Sequence, residues 1–85
     1  MGIYEDIQEE RERQNAEWGG EEHDGQHTHR DWCSFIVRKL GNAQQSAEQG
    51  HWASYQKEMI QVAALVVADL EVLQRVHNRP EERVV

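Results

Sequence analysis

The chain has 85 residues, 16 acids against nine Lys and Arg, a formal net charge of −7 and a single cysteine. That length allows one domain with a thin core, and one cysteine excludes an intramolecular disulfide and fits a reducing, cytoplasmic setting. Nine acids and only two bases fall in residues 1–24, while residues 25–85 are balanced. An acidic N-terminal segment argues against duplex DNA or an anionic membrane as partner, because both require a basic surface. A small phosphorylated ligand needs only a few placed cations and stays compatible with this balance.

The expected first element is a helix from Ile3 to about Glu17. Ile3, Tyr4 and Ile7 form a short apolar patch, and the polar run after them carries Glu9–Arg13 and Gln8–Arg11 at helical spacing. The remaining charges read as a solvated face. Glu5 and Asp6, close behind Met1, argue against a secretory leader.

Residues 18–28 read as a loop, with three glycines among alternating polar residues and with Trp18 expected to plug the core edge. Its length suggests function. His23, His27 and His29, with Asp24 and Asp31, have a spacing that could approach a zinc ion. There is no second ligand group at structural-zinc spacing, so ordinary loop and cap hydrogen bonding is the expectation and no metal ligand is assigned.

A second helix is expected over 29–49. Thr28 suits its N-cap, Asp31 completes a capping box, and Gly50 is its stop. Trp32, Phe35, Ile36, Leu40, Ala43 and Ala47 make its apolar face, and Cys33 reads as a small buried residue without catalytic partners. Phe35, Lys39, Asn42 and Ser46 form a stripe at i, i+4, i+7 and i+11, with Arg38 beside it. A lysine there snorkels, pairs with an acid or meets an anion.

The third helix, 52–77, holds most of the aliphatic mass without a Gly or Pro. At 100° per residue, Trp52, Tyr55, Val62, Ala63, Val66, Leu70 and Leu73 lie within about 60° of Met59, and further apolar residues continue around the sides. Such a helix must be covered on more than one side, which calls for a homo-oligomer. Glu58, Val62, Leu65 and Asp69 repeat the stripe spacing of the second helix, so Lys39 or Arg38 could pair with Glu58 or Asp69 across the interface. The longest apolar run, Val62 to Ala68, is too short to span a membrane. Residues 78–85 read as a frayed tail.

Two blocks of residues resemble a known family. Ile7, Glu10-Arg11, Arg13-Gln14, Trp18-Gly19, His23 and Asp31-Trp32, then Tyr55, Glu58-Met59 and Gln61 to Leu65, resemble small phage and prophage proteins of the MazG-like group. These are all-α nucleoside triphosphate pyrophosphohydrolases. The resemblance implies Mg²⁺ held by Glu-Glu-x-x-Glu on one helix and Glu-x-x-Asp on the next, with cleavage between the α and β phosphates. The matching stretches here are Arg38-Lys39-Leu40-Gly41-Asn42 and Glu58-Met59-Ile60-Gln61, so Glu58 alone remains of the five acids. Two acids have become cations, which repel a metal. Asp69 lies about 16 Å along the helix from Glu58 and does not restore the set alone.

The expectation is an all-α fold: an N-terminal helix plus an antiparallel helical hairpin, assembling as a homo-oligomeric bundle. The expected function is non-catalytic binding of a nucleotide or nucleotide-derived signal, as in a phage-encoded sponge acting in the host cytoplasm. Arg38, Lys39, Asn42, Lys57, Glu58 and Gln61 would form the ligand site, with Trp18 or His23 stacking on a base. No catalytic residue and no cofactor is assigned. The rivals are a divergent pyrophosphohydrolase, which would need Mg²⁺ and Glu58, and a helical module that binds only protein.

Overall fold

The computed structural model describes residues 2–20 and 27–77; the expected tail 78–85, His23 and Asp24 lie outside the described residues. Three helices, α1 (Ile3–Trp18), α2 (His29–Glu48) and α3 (Trp52–His77), occur in that order, with no strand among the described residues. None of these helices is long and apolar enough to cross a membrane.

The start of α2 follows from local chemistry. Asp31 N–H donates to Thr28 Oγ1 at 3.1 Å, and Thr28 N–H donates to Asp31 Oδ2 at 3.0 Å. Its end is equally explicit. Gly50 takes a left-handed φ of 72°, Gly50 N–H reaches Ala47 O, and His51 N–H reaches Ser46 O at 2.9 Å. This Schellman arrangement closes α2 and leaves three residues before α3. Two contacts fix the pair as antiparallel: Ser46 Oγ donates to Glu58 Oε1 at 2.6 Å near the turn, and His29 Nδ1 meets Asp69 Oδ1 at 2.5 Å far from it.

The core is small. Trp32 and Ala43 from α2 are buried with Ala64, Leu65, Ala68 and Val72 from α3, and Phe35 and Ile36 pack against them. All four buried α3 residues lie within about 60° of the direction opposite Met59. The sequence stripe therefore faces outward: Trp52 is 63% exposed, Val66 38%, Leu70 51% and Leu73 39%. The inner face is the one with alanines, because small residues allow α2 to approach closely, and the bulkier residues are left outside. On α2, Leu40 and Cys33 are also exposed, not buried as expected.

The docking of α1 differs from the expectation too. Ile3 and Tyr4 are exposed, while Arg11 and Gln14 are buried. Arg11 Nη2 donates to Glu71 Oε1 of α3 at 2.9 Å, and Gln14 Nε2 donates to Glu10 Oε2 at 3.0 Å. Arg13 bonds Glu10 and Glu17 rather than Glu9, and Gln8 bonds Glu12. The buried edge of this helix is thus polar, with Glu71 of α3 and Glu10 of α1 as acceptors. Gly19, with φ of 98°, closes α1 by donating its N–H to Asn15 O at 3.0 Å.

Candidate functional site

The capped start of α2 puts its first turns beside the end of α1. A cleft of about 260 Å³ opens there, lined by Trp18, His27, Trp32, Phe35, Arg38, Lys39 and Leu65. Trp32 forms part of its floor, 1% exposed and edge-on to Phe35 at 5.9 Å between ring centroids. His27 stands edge-on to both, at 5.8 Å from Trp32 and 5.1 Å from Phe35. Leu65 closes the base from α3, and Trp18 contributes an exposed ring from the last residue of α1. This is a wall of π-systems, in the edge-to-face packing that aromatic quadrupoles favour.

The cations come from the next turn of α2. Phe35, Arg38 and Lys39 follow at i, i+3 and i+4, so both basic side chains share a side of the helix with the aromatic wall. Arg38 is exposed and Lys39 half-buried. Neither forms an ion pair among the described residues. The cross-helix pairing of these cations with Glu58 or Asp69 does not occur, because Ser46 takes Glu58 and His29 takes Asp69. The Lys39 charge does reach Glu10, whose carboxyl is held below the usual carboxylate range mainly by its hydrogen bond with Arg13, with smaller help from Gln14 and Lys39.

The eight residues singled out in the sequence separate in space. Trp18, Arg38 and Lys39 meet in the cleft. Lys57 lies on a different recess with Asp6, Glu9, Glu10 and Arg13. Glu58 is half-buried under Ser46, Gln61 is half-buried, and Asn42 is exposed beside buried Ala43. His23 lies outside the described residues. Sequence reasoning missed His27 as a wall residue, and it assigned Trp32 and Phe35 to the core alone. The signal was present: His27, Trp32 and Phe35 are three rings within nine residues, just before the two cations.

The loop histidines part ways, His27 to the aromatic wall and His29 to Asp69. Among the described residues no group of three or more His, Cys, Asp or Glu side chains is placed to hold a metal ion. In the interior, Gln14 Oε1 and Trp32 Nε1 find no hydrogen-bond partner among the described residues.

The chain matches no known family, no curated protein and no solved structure in comparisons with each.

Proposed function

We propose that the cleft between the end of α1 and the first half of α2 binds a nucleotide or nucleotide-derived molecule without cutting it. The observation that carries this reading is the joining, in one cleft, of an aromatic wall to two adjacent cations that have no ion pair among the described residues. Planar bases stack on aromatic rings with about 1–3 kcal/mol each, and Arg and Lys hold phosphate oxygens by charge-assisted hydrogen bonds. The volume is near the lower end of the ~300–1,000 Å³ of small-molecule sites. It suits a base and sugar inside with the phosphates at the Arg38 and Lys39 rim.

Among the described residues no acid lines this cleft, and the resemblance aligns its two cations with metal-binding acids of the pyrophosphohydrolases. Binding and holding is the chemistry such a lining can do. Taken with the resemblance to small phage proteins, the reading is a sponge: a cytoplasmic homo-oligomer that sequesters a nucleotide signal of host defence.

Calorimetry of the protein with nucleoside triphosphates and cyclic dinucleotides, with Mg²⁺ present, tests it. At least one of them binds, the unphosphorylated nucleoside binds more weakly, no pyrophosphate appears, and Arg38→Ala with Lys39→Ala removes the heat. Silence with every nucleotide refutes the reading in favour of a protein-binding module. Pyrophosphate release that Glu58→Gln abolishes refutes it in favour of an enzyme.

A further inference from the structure

The outward face of α3 is an apolar stripe that neither the core nor the cleft uses. Four of its large side chains are 38–63% exposed, and half-buried Tyr55, Met59, Val62 and Ala63 lie between them. The spacing 52, 55, 59, 62, 66, 70, 73 is close to the alternating three and four of paired helices. We infer that this stripe packs against the same stripe of a second copy of the chain, antiparallel, across a two-fold axis near Val62 and Ala63. The inference specifies the homo-oligomer within the proposed function and does not depend on the ligand.

Charge selects the occupant. From Trp52 to Leu73 no charged residue lies within about 60° of Met59; Asp69, at the edge, is engaged by His29. A strongly charged partner finds no counter-charge on this stripe. Two copies of a chain of net charge −7 can meet on it because the acids concentrate in residues 1–24 instead. A neutral, self-complementary stripe is what an isologous two-fold contact requires.

The area is sufficient. The stripe runs about 32 Å along the helix. Trp52 alone offers on the order of 150 Å². Two such faces reach roughly 1,000 Å², the threshold for a specific interface and a size that fits micromolar association.

Direction follows from what lies at the two ends. A parallel pair sets Trp52 on Trp52 and aligns the two helix dipoles. The antiparallel pair sets the Trp52 and Tyr55 end of one helix beside the Leu70 and Leu73 end of the other. It also opposes the helix dipoles.

Sedimentation of the full chain, with and without Val66→Glu plus Leu70→Glu, is the test. The wild type sediments as a dimer at tens of micromolar, and the double variant associates roughly 100-fold more weakly with its helical circular dichroism unchanged. A wild type that stays monomeric at about millimolar concentration overturns this inference and the homo-oligomer reading together. A double variant that dimerises as well as the wild type overturns the face and leaves that reading standing. Single cysteines in a Cys33→Ser background give a second readout should the acidic variant not fold. Ala63→Cys, near the axis, forms a disulfide-linked dimer on oxidation and Trp52→Cys does not; the reverse result, or no cross-link from either, overturns the arrangement.

Discussion

The two faces of α3 are built from the same kinds of residue and do opposite things. The inner face has Ala64, Leu65, Ala68 and Val72, all four buried, and the last three cluster with Trp32 of α2. The outer face has Trp52, Val66, Leu70 and Leu73, larger on average and exposed. The difference teaches that residue size, not hydrophobicity alone, decides which side of an apolar helix meets its nearest neighbour. Close approach of α2 needs small side chains at the contact, and the bulky stripe is left for a second partner.

The comparison breaks first at the core. Trp32→Ala, at a site 1% exposed, costs about 3–5 kcal/mol, most of the stability of so small a domain. Urea unfolding then shows little or no cooperative transition. Leu65→Ala, 3% exposed, costs about 2–4 kcal/mol. Leu70→Ala is the contrasting probe. At protein concentrations too low for association it changes urea stability by less than about 0.5 kcal/mol, and the difference grows as concentration rises. Equal costs for Leu65→Ala and Leu70→Ala at low concentration contradict the assignment of faces.

The turn that sets the two helices against each other responds more modestly. Gly50→Ala places a Cβ at a φ of 72° and costs about 1–2 kcal/mol in urea unfolding. The smallest effect is a pH dependence at the other end of α2. The Asp31 carboxyl is held below the usual carboxylate range, first by the Thr28 backbone N–H and then by the Thr28 hydroxyl and His27. Its folded-state value is depressed, so its contribution is present above the unfolded value and lost as pH falls through the folded one. Wild type and Asp31→Asn differ in thermal stability at about pH 6 and converge as pH falls below the folded carboxyl's lowered value.

Much of the fold was legible in the sequence. Thr28 and Asp31 announced the capping box, Gly50 the stop, and an uninterrupted apolar run the long helix. The orientation of that helix was not legible. Its periodicity defines a stripe but not whether α2 or solvent meets it, and an apolar girdle leaves both sides available. The docking of α1 was illegible for a related reason. Arg11 and Gln14 are buried because Glu71 and Glu10 supply partners, one of them 60 residues away, and composition reports only that they are polar. At the cleft, Arg38 and Lys39 stood out as cations in an apolar neighbourhood. Asn42, Lys57 and Gln61 lie outside the cleft, because sharing a motif in sequence does not put side chains on the same side of a helix pair.

The most direct test of the central claim is a titration of the wild type and the Arg38→Ala, Lys39→Ala variant with nucleotides, followed by tryptophan fluorescence. Trp18 and Trp32 both line the cleft, so a bound base changes their emission. The account predicts a saturable change in the wild type that the double variant loses while its helical circular dichroism is retained. A saturable change of equal affinity in the variant, or none with any nucleotide in the wild type, contradicts it.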